Sequence, residues 1–379
     1  MSRGQMSHPQ AVGEGLEKGA LAGSGTPGLV SVVVPTYNRA NVVRAAIDSV
    51  VGQTYANVEV VVVDDGSRDD TQRVVESYGA GGAPVRYLHQ ANSGVSAARN
   101  RGLAGARGEF IALLDSDDEF LPWKLEAQVA VLRAHPEIGM VWTDMAAMNE
   151  KGKVLDAKYL RTFYDAHALA RLEDVCTHAG PLQHAWPGAP PHVATAPVYT
   201  GDIFSQMLLG NLVHTSTVVL RRDRLRQVGG FDTSLKHSGE DYEFHLRTCS
   251  YGPVALLDAS SILYRVGAAD QLTAPQLGIH RARNNLTTVL RWFERGAGRI
   301  QLPPRTIRER LAQSFRWVGE AEMEYGDRGR AREHLWKSLR YAPGHTRTAL
   351  LLLFALLPRV ALRGARGAKR MMRLALRGG

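Results

Sequence analysis

Phe110-Ile111-Ala112-Leu113-Leu114 runs without a polar residue into Asp115-Ser116-Asp117-Asp118-Glu119. Close carboxylates repel one another and are costly to desolvate, so a cation or a solvated turn must compensate them. At a strand end, residues two apart point the same way. Asp115 and Asp117 can therefore offer hard oxygen ligands to Mg²⁺ or Mn²⁺, with phosphate oxygens of a substrate completing the shell. The same residues equally suit an acidic turn that caps a following helix. Two other apolar runs end in polar clusters. Val32-Val33-Val34-Pro35 leads into Thr36-Tyr37-Asn38-Arg39, and residues 58–63 lead into Asp64-Asp65-Gly66-Ser67.

These clusters need elements to hold them. Residues 30–34 and 58–63 are Val-rich, β-branched runs interrupted only at Ser31 and Glu59, the mark of strands buried on both faces. Helical patterns follow each, over 42–50 and 71–78, then a short strand at 85–89 and a helix near 95–106 that leads into the strand ending at Asp115. Alternation of this kind predicts an α/β fold with a parallel sheet and helices on both faces. Ligands gather at the carboxyl ends of such strands, which places all three clusters on one rim. Beyond them, 122–134 reads as a helix and 139–143 as a strand. Residues 150–210 are rich in Pro, Gly and His and give no regular pattern, the setting of acceptor-binding loops. Regularity returns with a strand over 215–221, a helix to Val228, the turn Gly229-Gly230-Phe231-Asp232, and a helix over 240–251.

The chain has 379 residues, a formal net charge of +9, 44% hydrophobic and 22% charged residues, which describes a globular protein suited to an anionic partner. Its two cysteines, Cys176 and Cys249, make neither a disulfide framework nor a zinc site and point to a reducing, cytoplasmic compartment. His178, His184 and His192 match no ligand spacing. Residues 1–28 lack the basic start and apolar run of a signal peptide and read as a disordered leader. No window reaches the ~18 apolar residues of a membrane span.

Taken in order, Val32-Val33-Val34-Pro35-Thr36-Tyr37-Asn38-Arg39, Val63-Asp64-Asp65-Gly66-Ser67, Asn92-Ser93-Gly94-Val95-Ser96-Ala97-Ala98-Arg99-Asn100 and Leu114-Asp115-Ser116-Asp117-Asp118 resemble the nucleotide-sugar domain of family-2 glycosyltransferases. The resemblance covers roughly residues 29–265. It implies the GT-A fold: a Rossmann-like, mixed and mostly parallel sheet with helices on both faces. A nucleotide-sugar half over 29–145, an acceptor half over 146–275 and a helical basic extension over 276–379 would follow. By the same resemblance Pro35, Thr36 and Tyr37 would line the nucleoside site and Asp65 would bind the base. Arg99 would lie near the nucleotide, and Asp115 and Ser116 would face the nucleotide sugar. Asp115 and Asp117 match the family's Asp-x-Asp motif for the divalent cation, and Asp118 would share that duty. Read singly, Thr36 or Asn38 could cap the next helix, and Asp64 and Asp65 could belong to an ordinary turn.

Transfer to a hydroxyl requires a base. Ser238-Gly239-Glu240-Asp241-Tyr242-Glu243-Phe244 resembles the family's Glu-Asp motif, which makes Asp241 the base and Glu240 its support; both also suit a helix N-terminus. Inversion at the donor carbon is implied, with a nucleoside-diphosphate sugar as donor and a saccharide or lipid-linked acceptor. Many relatives carry a His after a Tyr-Arg pair. Here Tyr264-Arg265 is followed by Val266-Gly267-Ala268, so Arg265 would supply charge or the carboxylates would act alone. A sugar-phosphate nucleotidyltransferase is the alternative enzyme, but it calls for a Gly-rich basic loop where Pro35-Thr36-Tyr37-Asn38 stands. A non-catalytic nucleotide-binding scaffold has no use for Asp115, Asp117 and Asp241 together.

The remainder is helical and basic. Gly326-Asp327-Arg328-Gly329 separates two helical stretches, as in an αα-hairpin. Arg359, Arg363, Arg366, Arg370, Arg373 and Arg377 recur at helical spacing with no acid after residue 358, which suits an anionic membrane surface at the inner face of the cell membrane. Nucleic acid is a poorer partner, because no aromatics interleave these arginines.

Overall fold

The computed structural model describes residues 23–170, 172–267, 277–296 and 298–357. In β1 (Thr26–Thr36) the side chains of Val32, Val33 and Val34 are sealed from solvent, as a strand covered on both faces requires. This strand begins inside the last residues of the stretch read as a leader, whose first 22 residues lie outside the described ones. β2 (Val58–Asp64) and β3 (Val85–His89) continue the sheet in parallel on one side, and β4 (Gly108–Leu113) pairs in parallel on the other. The crossovers are α1 (Val43–Val51), α2 (Thr71–Ala80) and α3 (Val95–Gly105). α1 buries Val43, Ala46, Ile47 and Val50, the helical spacing its sequence predicts. α3 sits close to β1 at Gly102, where a Cβ would lie 2.3 Å from Val33 Cγ1.

β5 (Glu119–Phe120), α4 (Lys124–Ala134), β6 (Met140–Met148) and β7 (Val154–Asp156) come next. The stretch that composition left unassigned holds only short elements: α5 (Leu160–Phe163), α6 (Ala166–Ala170), β8 (Cys176–Pro181), α7 (Pro191–Ala194), β9 (Pro197–Gly201) and α8 (Phe204–Met207). β10 (Val219–Arg221), α9 (Arg222–Val228), α10 (Glu240–Cys249) and β11 (Val254–Arg265) complete the domain.

The sheet order is β3-β2-β1-β4-β10-β6-β11-β9-β8, with β5 on β11 and β7 on β6. β10 runs antiparallel between β4 and β6, while β1, β2, β3, β4, β6, β8 and β11 share one direction. The mixed, mostly parallel sheet expected of the sequence is therefore present, with β5, β7, β9 and β10 reversed and β10 inserted between parallel strands.

The strand expected over 215–221 is shorter than its pattern. Thr215–Thr217 form a 3-10 turn instead, because Thr217 Oγ1 donates to the His214 carbonyl (2.6 Å) and local side-chain bonds of this kind displace sheet pairing. Lys124 and Gln128 of α4 both donate to the Thr217 carbonyl and hold this turn from behind. β11 went unread in the sequence because Asp258-Ala259-Ser260-Ser261 breaks its apolar run, at the place where its register on β6 shifts.

The described residues within 1–236 and 240–269 form one compact unit, and those within 237–239 and 270–379 a second. The second consists of α11 (Gly278–Arg295), α12 (Pro304–Tyr325), α13 (Arg328–Tyr341) and α14 (Thr346–Leu356). Its core joins Ile279, Ala282 and Leu286 to Phe315, Val318 and Ala321, and Leu335 to Leu351 and Ala355. The expected hairpin break is real: Asp327 caps α13 by accepting from the Arg330 amide at 2.9 Å. Among the described residues no helix is long and apolar enough to cross a membrane. The basic stretch 359–377 lies outside them.

Candidate active site

The acidic stretch begins two residues past β4. Leu114 donates to the Val33 carbonyl (3.0 Å) and keeps the chain on the sheet, and the Asp118 amide then donates to the Asp115 carbonyl (3.0 Å) to close a turn. A turn pairs residues three apart, not two. Asp118 is buried beneath it, with Ser216 Oγ donating to its Oδ2 at 2.6 Å and His214 Nε2 3.3 Å from the same oxygen. The Asp115 amide donates to Ser216 Oγ (3.1 Å). Ligand atoms of Asp115, Asp118 and His214 all lie within 4.8 Å of one another. Asp117, two residues past Asp115, is not part of this group, whose carboxylates are three residues apart and are joined by a histidine.

This set suits a divalent cation. Two carboxylates and an imidazole form a donor set of the kind Mn²⁺ accepts, and a carboxylate-rich set also admits Mg²⁺. The turn also carries more negative charge than its surroundings neutralise. Burial, then the charges of Asp118 and Asp115, push the Asp117 carboxyl up to about 7. Burial likewise opposes ionisation of Asp115, yet Arg99 and His214 outweigh it and hold that carboxyl below its ordinary value. For His214 burial disfavours the charged ring, but the bond to Asp118 prevails and raises its pKa. Arg265, the residue expected to supply charge, donates through its amide to Asp118 Oδ1 (3.2 Å) and through Nε to the Asp117 carbonyl (3.2 Å). Its Nη2 pairs with Glu119 at 2.8 Å.

His214 escaped the sequence reading, which weighed only histidines of the irregular segment. Its signal was topological. Antiparallel pairing sets Val219 opposite Ala112 and Leu220 opposite Ile111, so the residues just before β10 must arrive beside the turn just after β4. On its other side His214 Nδ1 lies 3.4 Å from the Tyr164 hydroxyl, and the Tyr264 ring meets the imidazole edge-on at 4.9 Å. Burial first, then Asp241, raise the Tyr164 pKa well above its ordinary value.

Arg99 links the turn to α10. It is 3% exposed, with Nη2 on Asp115 Oδ1 (2.7 Å), Nη1 on Glu240 Oε1 (2.8 Å), and its guanidinium 5.0 Å from the Phe231 ring centre. Glu240 is buried, its Oε2 lacks a hydrogen-bond partner among the described residues, and burial raises its pKa against the pull of Arg99. Asp241, next in the chain, is half-buried and accepts from Asn211 Nδ2 at 3.2 Å. Behind them His245 lies 3.5 Å from Thr215 Oγ1; burial, then Arg99 and His214, push it down to about 3.

The remaining predicted residues sit on the same rim, at the ends of neighbouring strands. Pro35 and Thr36 end β1, opposite Val63 and Asp64 of β2. Thr36 Oγ1 is buried without a hydrogen-bond partner among the described residues, and Tyr37 is 43% exposed. Asp65 donates its amide to the Thr36 carbonyl (2.9 Å). Its carboxylate accepts from Gln90 Nε2 (2.7 Å) and from the amides of Ser93 and Gly94 (2.8 Å each), fixing the loop into α3. Asp64 accepts from the Ser67 amide and the Tyr87 hydroxyl, which is a turn role. Asn38 has a φ of 50° and accepts from the Arg68 amide (2.8 Å), tying the first two clusters together rather than capping α1. Ser116 is buried inside the acidic turn.

Residues 31–180 match the model of glycosyl transferase family 2, and residues 191–369 match that of glycosyl transferase family group 2. An uncharacterized glycosyltransferase of Rickettsia felis is 41% identical over 130 residues, 34% of this chain and 21% of its own length. The uncharacterized glycosyltransferase RP339 of Rickettsia prowazekii is 29% identical over 215 residues, 57% of each chain. The chain thus spans at most about half the length of these curated relatives. Among solved structures, S. aureus TarS 1–349 in complex with UDP superposes with a TM-score of 0.54 at 20% identity, covering 92% of both chains. That likeness is one of fold, GT-A, over a mixed sheet whose strand ends carry the four sequence blocks. The chain belongs to glycosyl transferase family 2.

Proposed function

We propose that this chain is an inverting glycosyltransferase, moving a sugar from a nucleoside-diphosphate sugar to a hydroxyl of a saccharide or lipid-linked acceptor. The observation that carries the reading is the Arg99 bridge. It joins Asp115, a member of the carboxylate–histidine group, to Glu240, the neighbour of Asp241, so a cation position and a base position share one buried bracket.

Asp241 takes the proton of the acceptor hydroxyl as its oxygen bonds to the anomeric carbon, and the carbon–oxygen bond to the diphosphate breaks with its electron pair on the leaving group. Asp115, Asp118 and His214 would hold Mg²⁺ or Mn²⁺, and a cation bound there supplies Lewis-acid charge to that leaving group. At the nucleoside end, Thr36 offers its unpartnered hydroxyl, Pro35 and Tyr37 line the rim, and Asp65 keeps about one free acceptor site beyond its three hydrogen bonds. Ser116 faces the nucleotide sugar from inside the turn. Arg99 has both Nη groups on carboxylates, which makes it a positioning residue in place of a nucleotide contact.

Thermal stabilisation and product formation with UDP-, GDP- and dTDP-sugars, each with Mg²⁺ or Mn²⁺, test the proposal. At least one donor stabilises the chain in the presence of a cation and is turned over. No stabilisation and no turnover with any donor overturns it.

A further inference from the structure

We propose that the outer face of α14 docks on the surface of an anionic lipid bilayer. A helix that closes a water-exposed bundle normally turns charged and polar residues outward. α14 does not. Thr348, Leu351 and Ala355 face inward, the last two against Leu335 of α13. At spacings of three and four, the outward positions are Ala349, Leu350, Leu353, Leu356 and Leu357. Those four leucines are 44, 56, 58 and 38% exposed, and no charged residue occurs over 348–358. From Thr348 onward the helix carries no charge on any side, and its outer side is open among the described residues.

Charge identifies the occupant. Glu333 is the last acidic residue of the sequence, and residues 334–379 contain ten Lys and Arg. An apolar stripe inside an all-basic stretch matches a surface that is apolar below and anionic above, which is the headgroup boundary of an anionic bilayer. A second copy of the chain would bring two such basic stretches together, and like charges oppose that contact. Eleven residues of helix extend about 16 Å, too short to span a bilayer, so the helix lies in the interface plane. The inference is independent of the sugar-transfer reading, because none of these leucines belongs to the site described above.

Full-length protein is sedimented with vesicles of phosphatidylcholine mixed with phosphatidylglycerol, and separately with phosphatidylcholine alone. It pellets with the anionic vesicles only, and Leu353→Asp/Leu356→Asp weakens that binding by about tenfold or more at unchanged melting temperature. Equal binding to both vesicle types overturns the proposal, as does wild-type binding by the double variant, which would leave charge alone as the cause. A dimer in light scattering that the double variant dissociates assigns the face to a second copy and also overturns it. Should the double variant melt early, an environment-sensitive fluorophore on Leu353→Cys, in a Cys176→Ser background, replaces it. Its emission shifts to the blue on anionic vesicles, and no shift overturns the proposal.

Discussion

In the proposed reaction Asp241 and His214 divide the chemistry of the site at the scale of single side chains. A carboxylate that removes the acceptor proton is needed in the transition state and not for donor binding. Asp241→Asn should therefore lower transfer by about 10²–10⁴-fold while donor affinity, read by calorimetry, stays near wild type. Retained transfer would remove Asp241 as base. His214 can serve a cation through Nε2 only if the ring is held from its other nitrogen, and Tyr164 stands there at 3.4 Å. Outer-shell partners of this kind are worth roughly 10–100-fold in metal affinity. Tyr164→Phe should weaken Mn²⁺ binding by about that factor, measured by paramagnetic resonance of free Mn²⁺, and His214→Ala should weaken it further. Equal Mn²⁺ affinity in all three proteins would exclude His214 as a ligand.

At the scale of elements, the site depends on α3 and α10 being joined to the turn after β4. Arg99 does this from inside, with both partner carboxylates largely withdrawn from water. Removing one member of a buried ionic bracket leaves uncompensated charge and costs about 3–5 kcal/mol. Arg99→Met should lower stability by that order in denaturant unfolding, and should lower cation affinity as well because Asp115 loses its anchor. A stability change within experimental error would show that the bracket is relieved by water. The packing of α3 on β1 sets the same geometry from below. Gly102→Val places methyl groups where Val33 already lies, 2.3 Å from the Cβ position, and overpacking of this sort costs roughly 1–3 kcal/mol. Its melting temperature should fall, and wild-type melting would mean that α3 is free to withdraw.

Across the whole molecule, buried histidines make the catalytic unit sensitive to acid. His245 is fully buried and held near 3, against an ordinary value of 6.5, and His167 is held near 4, chiefly by burial. Between the two values the unfolded chain binds a proton that the folded chain refuses. The stability these two rings contribute is therefore complete above about pH 6.5 and is lost as the pH drops toward 3, by up to about 1.4 kcal/mol per pH unit for His245. His214 works in the opposite sense, because its pKa is raised in the folded state. His245→Gln should flatten the decline between pH 6 and 4 in urea unfolding (both limits roughly set by the two pKa values). An unchanged slope would place the acid sensitivity elsewhere.

Much of this architecture is written locally. The β-branched runs of β1 and β2, the helical spacing of α1 and the polar clusters at the strand ends follow from side-chain branching and periodicity over a few residues. Asp65, Asp115 and Asp241 stood out as candidates for the same reason, since each sits in a short block whose order along the chain is itself informative. Three things were not legible, because each depends on partners far apart in sequence. Whether Asp117 or Asp118 joins Asp115 was decided by the turn that closes between residues 115 and 118. That Arg99 serves carboxylates was decided by a helix 141 residues further along the chain. That a histidine completes the group was decided by the antiparallel insertion of β10 beside β4, which carries His214 to a strand end about one hundred residues away. Local sequence determined which chemistry was available, whereas strand order, a property of the whole sheet, determined which groups meet.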